Sequence, residues 1–315
     1  MYTVSDFYKD LFGTKVYKLS LDAGCTCPTR DGSKGFGGCI FCSASGSGDF
    51  AADRAKSIKN QLLEAKQKVD KKLQGKSGRT DGKYIAYFQN FTNTYGNAER
   101  LEKLYLDSIA DSEKTGVVGL DIATRPDCLS EDIIKRIANL CDKTFVTVEL
   151  GLQTANDNTA KIINRCYDTK EYDIAVKKLH QASQNKKNKI HVVTHVIFGL
   201  PGESDEDMLN TVRHVVEAGS DGIKFTVLHV LRGTKLFEMY ERGEIECLTK
   251  EKYFELLARS IELLPSSMVI HRLTGDGDKK ILVAPMWTAN KRQVRNEMSA
   301  YFREWEASHA NKPST

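Results

Sequence analysis

Four of the chain's eight cysteines fall within the eighteen residues CTCPTRDGSKGFGGCIFC, at positions 25–42. Cys39 and Cys42 form a Cys-x-x-Cys pair, a spacing that lets two thiolates reach one metal centre. Cys25 and Cys27 lie upstream, with eleven residues between Cys27 and Cys39. The glycines between them let the backbone come close to a metal and donate N–H groups to sulfur. Three chemistries use such a set. Four thiolates can close a zinc site, although its first half would be Cys-x-Cys, tighter than the usual zinc spacing. A redox-active Cys-x-x-Cys usually opens a helix in a thioredoxin-like fold. An iron–sulfur cluster can be held by three cysteines, leaving one iron open.

The stretch MYTVSDFYKDLFG at the start has neither a basic n-region nor an apolar h-region, so no signal peptide is expected. No apolar run approaches ~20 residues, so no membrane-spanning helix is expected either. Eight cysteines without a secretion signal point to a reducing, cytoplasmic setting, where clustered thiols bind metal or do redox work. The net charge of +4 is modest but uneven. Residues 51–80 carry nine Lys/Arg against three acids, NKKNK forms a patch at 185–189, and residues 279–295 hold five basic residues and no acid. Such stretches are either solvated faces or the footprint of an anionic polymer such as nucleic acid.

Short apolar runs alternate with amphipathic stretches. Strands are expected at 16–22, 84–89, 117–124, 145–150, 190–198 and 222–230, and helices at roughly 51–73, 97–114, 130–141, 169–184 and 204–218. Six βα units predict an α/β fold around a parallel sheet. A closed (β/α)8 barrel fills its interior mainly with Val, Ile and Leu. Here one period-2 face of most strands is polar: Ser20 and Asp22, Asp121 and Arg125, Thr147 and Glu149, His191 and His195, Lys224 and Thr226. An open, partial barrel around a polar ligand is the architecture this pattern predicts. The cysteine loop follows the first strand, at the end where βα folds bind ligands.

CPTRDGSKGFGGCIFC, YFQNFTNTYG, ELGLQTANDNTAKIINR and HVIFGLPGES together resemble the radical S-adenosylmethionine (SAM) superfamily. The likeness covers essentially residues 16–290 and is nearest to a bacterial subgroup with a CPxRDGxxGxGGCxFC-like loop, whose long first spacing departs from the usual three residues. The resemblance implies a partial (β/α)6 TIM-like barrel over residues 1–231, with a C-terminal extension, 232–315, closing its open side. It implies that Cys27, Cys39 and Cys42 hold a [4Fe–4S] cluster whose fourth iron takes the amino and carboxylate groups of SAM, while Cys25 stands aside. The reduced cluster then cleaves SAM to methionine and a 5′-deoxyadenosyl radical, which takes a hydrogen atom from the substrate. An electron donor such as flavodoxin or ferredoxin is implied as a partner.

The same likeness distributes the cofactor-binding residues. The backbone at Gln89, Asn90 and Thr92 meets the SAM amino group, although glycines usually precede the threonine. Gln153 contacts ribose, and Arg165, twelve residues on, pairs with the SAM carboxylate. His195 reaches ribose, Gly199 and Leu200 pack on adenine, and the inner-face Glu149 joins this set. Arg125, Lys224, His229 and Arg232 are substrate-side candidates, and the charge of HRLTGDGDKK (271–280) suits a phosphate-bearing substrate. The subgroup includes a protein implicated in maturing a modified wobble uridine, so with the basic stretches tRNA is the expected substrate. The rivals are a small molecule or peptide substrate, and a non-enzymatic iron–sulfur sensor or zinc-binding module.

Overall fold

The computed structural model describes residues 1–309 except 45, 47–51, 78–81 and 276, and only the backbone of residues 72, 74–77 and 309. Arg79 and the side chains of Lys72 and Lys76, part of the first basic stretch, therefore lie outside the described residues.

The chain opens with α1 (Val4–Phe12), started by a reciprocal cap between Thr3 and Asp6. Next come β1 (Val16–Leu21), α2 (Ile58–Ser77), β2 (Lys83–Phe88), α3 (Ala98–Ile109), α4 (Ser112–Thr115) and β3 (Val117–Thr124). α5 (Glu131–Leu140), β4 (Phe145–Gln153), α6 (Asp157–Ile162), α7 (Thr169–Ser183), β5 (Ile190–Phe198), α8 (Asp205–Glu217) and β6 (Gly222–Val227) complete the alternation. Then follow β7 (Val230–Leu231), α9 (Lys235–Glu241), α10 (Lys250–Leu263), β8 (Val269–Arg272), β9 (Leu282–Ala284) and α11 (Lys291–His309). No helix among the described residues is long and apolar enough to cross a membrane.

Seven parallel strands form the main sheet in the order β1-β2-β3-β4-β5-β6-β8. Lys18 on β1 reaches Glu149 on β4 at 2.8 Å, and Lys224 on β6 reaches Tyr87 on β2 at 3.0 Å. In a flat sheet, strands about 4.8 Å apart would put β1 and β4 roughly 14 Å apart. The contacts therefore require a strongly curled sheet with those side chains inside, a half-barrel of the partial TIM type. Its two edges, β1 and β8, do not pair with each other. Beside that seam the N-terminal segment runs along β8, with the N–H of Ile270 donating to Tyr2 O at 2.9 Å. α1 closes the floor: Phe7 stacks on His191 with ring centroids 4.7 Å apart and packs on Phe145.

Several expectations shift in detail. The sheet gains a seventh strand from residues 269–272, beyond the six read in the sequence. The long sixth run breaks at Val227. Leu228 and His229 step out, and Val230–Leu231 pairs antiparallel with β9 instead. The helix expected from 51 begins at Ile58, where Ser57 accepts the N–H of Asn60 in the manner of a cap. The helix expected over 97–114 divides at Asp111, whose backbone is left-handed at φ 52°.

Candidate active site

The cysteine loop is held in shape by two side chains. The Arg30 guanidinium donates to the carbonyls of Cys42 and Ser43 at 3.3 and 2.5 Å. The Asn164 amide, arriving from beyond α6, donates to the carbonyls of Phe36 and Gly38 at 3.0 and 2.7 Å. Gly38 sits at φ 72°, and a Cβ there would come within 3.0 Å of Arg30 Nε, so the loop closes on its own arginine only with glycine at this position. Cys42 N–H in turn bonds Cys39 O at 3.0 Å, forming the tight turn of the Cys-x-x-Cys pair.

This turn places Cys27, Cys39 and Cys42 on the wall of one cavity of about 480 Å³ at the C-terminal ends of the strands. That volume lies in the range of small-molecule pockets. All eight cysteines are free of disulfides. Burial pushes the Cys39 thiol up to about 12 and raises Cys27 as well, while the guanidinium of Arg125 pulls both back toward the thiolate. Thr92 Oγ1 lies 3.0 Å from Cys27 Sγ. Cys25 does not line the cavity. It is buried in the main core, with burial pushing its thiol up to about 11. Among the described residues no three His, Cys, Asp or Glu close on a single point as one metal ion requires. Three thiols spaced around a shared cavity suit a larger, multi-iron group instead.

Below the thiols the interior is ionic. Glu149 is fully buried and accepts from Lys18 at 2.8 Å and from Tyr87, His195 and Lys224 at 2.7 Å each. Lys18 also pairs with Asp121. Burial works against the charge on Glu149, but Lys18, Lys224 and His195 overcome it and hold the carboxyl well below its usual range. Asp121 goes the other way: burial, then the charge of Glu149, pushes it up to about 7. Burial brings Lys224 down to about 8 and His195 down to about 4. His195 is thus neutral near pH ~7, and its Nε2–H donates to Glu149. At the floor His191 and His271 face each other, Nε2 to Nε2, at 2.9 Å.

The family follows from comparison with known proteins. Residues 34–215 match the radical SAM superfamily, and residues 220–304 match the Radical_SAM C-terminal domain. The chain belongs to the radical SAM superfamily. It is 41% identical over 293 residues to the Uncharacterized protein YtqA of Bacillus subtilis (strain 168), covering 93% of this chain and 86% of that protein. It is 27% identical over 178 residues to the tRNA uridine(34) acetyltransferase of Methanocaldococcus infernus, covering 56% of this chain and 32% of that one. In three dimensions it resembles the archaeal Elp3 of Methanocaldococcus infernus, with a TM-score of 0.63, 19% identity, and coverage of 90% of this chain and 63% of the other. That last likeness concerns the fold.

Of the residues expected at a radical SAM site, Gln89, Thr92, Glu149, Gln153, Arg165 and His195 line the cavity with the three cysteines. Gln89 accepts from Ser20 Oγ at 3.1 Å. Gln153 stands at φ 70°, where β4 ends. Asn90, Gly199 and Leu200 do not line the cavity. Asn90 donates to Asp22 at 2.8 Å, Gly199 turns at φ 84° against Leu248, and Leu200 is buried in a second apolar cluster with Ile40 and Ile163. Arg125, Lys224 and His229 line it too, but Arg232 is exposed beside Phe237.

Arg165 faces the cavity with its donors already used. All five guanidinium N–H groups meet acceptors within the protein: Tyr167 O at 3.0 Å, Leu152 O at 2.8 Å, Thr154 O at 2.5 Å, Asp157 Oδ1 at 3.0 Å and Thr169 Oγ1 at 3.2 Å. In this geometry it fastens the loop between β4 and α7, and no N–H is left over for a carboxylate ligand.

Lys18, Tyr87, Arg30, Asn164 and Arg272 were not singled out in the sequence. Lys18 shares the period-2 face of Ser20, and Tyr87 that of Gln89, so strand alternation carried the signal for both. Arg272 sits on a four-residue strand too short to show a pattern.

Proposed function

We propose that this chain holds a [4Fe–4S] cluster through Cys27, Cys39 and Cys42, uses it to cleave SAM, and acts on a modified wobble uridine in tRNA. The observation that carries the first part is that three thiols, and not Cys25, share one cavity wall. The donor set fits: free thiols, a cation at Arg125, and a loop shaped around them by Arg30 and Asn164. When bound, the reduced cluster supplies the electron that cleaves SAM, and hydrogen-atom removal from the substrate follows. The chain's own residues do the rest. Phe41, Ile197 and Leu228 give the cavity an apolar side that excludes water from a reactive centre. Gln153 and the open Nδ1 of neutral His195 offer hydrogen-bonding groups of the kind a ribose takes. Glu149 fixes His195 and Lys224 in position.

The tRNA part is supported by charge and by the name of one relative, a tRNA uridine(34) acetyltransferase. On α2, Lys56 and Lys66 are paired with Glu64 and Asp70, while Lys59, Lys68 and Lys71 are exposed without ion pairs among the described residues. At the other edge of the sheet Lys279, Lys280, Lys291, Arg292 and Arg295 are exposed. The start of α2, with Lys59, and the ribbon leading to α11 reach toward the mouth, whereas Lys66 sits against Tyr84 at the beginning of β2, so Lys68 and Lys71 lie toward the opposite end of the strands. Gln61 of α2 bonds Asp22 just past the C-terminal end of β1, and β9 leads toward α11 from the ribbon beyond β6. Phosphate contacts of this kind release counterions, so affinity for bulk tRNA is expected to fall steeply with salt. Reversing Lys291, Arg292 and Arg295 to Glu is expected to reduce it further while leaving uncoupled SAM cleavage intact. A protein that binds no tRNA at low salt, or a deletion strain whose tRNA nucleosides match its parent by mass spectrometry, would overturn the tRNA reading and leave the radical SAM reading standing.

A further inference from the structure

One acid behind the cysteine wall serves two cations. Asp127, whose side chain is 3% exposed, accepts from Arg125 Nε at 2.9 Å and Nη2 at 3.0 Å, and from Lys34 Nζ at 2.7 Å. Among the described residues no other acid pairs with Arg125 or Lys34, so this group carries one positive charge in surplus. Lys34 is exposed and its charge is screened by water, whereas Arg125 is only 9% exposed and lines the cavity with Cys27, Cys39 and Cys42. The surplus therefore acts mainly inward, where the dielectric is low.

The guanidinium of Arg125 is fixed on three sides. Asp127 takes the edge formed by Nε and Nη2, Arg165 O accepts from Nη2 at 2.8 Å, and one face lies over the Tyr167 ring with Cζ 5.0 Å from its centroid. Nη1 lies across the guanidinium from the Asp127 edge and makes no hydrogen bond to a described residue. The neighbouring Cys128 thiol, pushed up to about 12 by burial, stays neutral and is a weak acceptor. Arg125 is also placed next to a cluster cysteine by one short piece of chain. Its Nη2 meets the carbonyl of Arg165, and Cys39 Sγ lies 3.9 Å from the carbonyl of Asn164. Those two residues are consecutive, with Cα atoms about 3.8 Å apart.

We propose that Arg125 sets the reduction potential of the cluster, its surplus charge and unspent Nη1 beside the three thiolates favouring the reduced state. This rests on the reading of Cys27, Cys39 and Cys42 as cluster ligands. Three thiolates bring three negative charges, and reduction adds one more. Net charge and hydrogen bonds to sulfur are among the levers by which a protein sets such a potential. Asp127 acts through Arg125: it holds the guanidinium in place and offsets part of its charge.

The protein is reconstituted anaerobically, its iron content is measured, and the cluster is titrated against redox dyes by electron paramagnetic resonance without SAM. A wild type that takes up no iron overturns the proposed function and this inference with it. Arg125→Gln is expected to lower the ratio of reduced to oxidised cluster at a fixed potential about tenfold, a midpoint about 59 mV lower for one electron. Arg125→Lys keeps the charge without the planar donors and is expected to lie between. Asp127→Asn removes the offsetting carboxylate and is expected to move the midpoint upward. A loosened loop would shift all three variants the same way, so the opposite sign for Asp127→Asn separates charge from damage, and it decides alone if Arg125→Gln takes up no iron. SAM affinity is measured on the same samples by calorimetry. The inference alone is overturned if iron-loaded Arg125→Gln keeps the wild-type midpoint, or if Asp127→Asn fails to raise it. A loss confined to SAM affinity would assign Nη1 to the SAM carboxylate and overturn it equally.

Discussion

Replacing Glu149 by Gln tests whether the polar interior is built around one carboxylate. That side chain accepts four hydrogen bonds, two of them from ammonium groups. A neutral amide accepts on one oxygen only and turns N–H groups toward donors. Lys18 and Lys224 are then left to share Asp121. Breaking a buried charge pair costs about 3–5 kcal/mol. Lys224 relieves part of this by losing its proton, since burial already holds it down to about 8. At roughly 2 °C per kcal/mol for a chain of this size, the unfolding midpoint is expected to fall by about 6–10 °C.

Asp121→Asn is expected to behave differently, although Asp121 belongs to the same network. Its folded pKa, about 7, lies above its unfolded value. The folded state therefore holds the proton more tightly, and the associated stability is present at low pH and lost as the pH rises through about 7. Above that pH the folded state carries a second buried carboxylate charge beside Glu149. Asn removes that cost and keeps the shape. At about pH 8 the variant is expected to be at least as stable as wild type, with the difference closing toward about pH 5. Glu149, held low, contributes stability that is present above its unfolded pKa near ~4.3 and is lost as the pH falls below it. Urea unfolding followed by tryptophan fluorescence at the two pH values decides the matter. Equal losses for Glu149→Gln and Asp121→Asn at the higher pH would refute the assignment of unlike roles.

Other outcomes follow from the site. Changing Cys27, Cys39 or Cys42 to Ala is expected to abolish stable iron incorporation on anaerobic reconstitution. Cys25→Ala is expected to leave iron content intact, because that thiol lies in the core; equal loss in Cys25→Ala would reassign the ligands. Arg165→Lys is expected to lower the unfolding midpoint, since one ammonium cannot meet five acceptors on three sides, and each polar group left buried and unpaired costs about 1–3 kcal/mol. A weakened SAM affinity with an unchanged midpoint would restore Arg165 as a ligand.

How much of this was legible depends on range. The βα alternation, the parallel sheet and most inward residues follow from periods of two and 3.6, which single stretches of chain display. Glu149, His195 and Lys224 were identifiable as inner-face residues for that reason. What no period could show was that His195 and Lys224 both meet on the Glu149 carboxylate, together with Lys18 and Tyr87, because that depends on how far the sheet curls. The seventh strand was hidden for a related reason. Val269–Arg272 has four residues, buried at one end and half-exposed at the other. Its place is set by Gly222 and Ile223 alongside it rather than by a pattern of its own.

Arg165 shows where spacing stops being informative. A distance of twelve residues from Gln153 fixes how far a side chain can reach, and Arg165 does reach the cavity wall. It says nothing about which donors are unspent when it arrives. The turn between β4 and α7 leaves the carbonyls of Leu152, Thr154 and Tyr167 without ladder partners, and buried carbonyls must find donors somewhere. Arg165 supplies them, helped by Asp157 and Thr169. Arg272 presents the opposite case. Its strand is short and its sequence context unremarkable, and among the described residues its neighbours accept two of its bonds, to Phe225 O and Thr226 Oγ1. Two arginines with the same side chain on the same cavity thus differ in what they can bind, and the difference lies in the backbone carbonyls around each one.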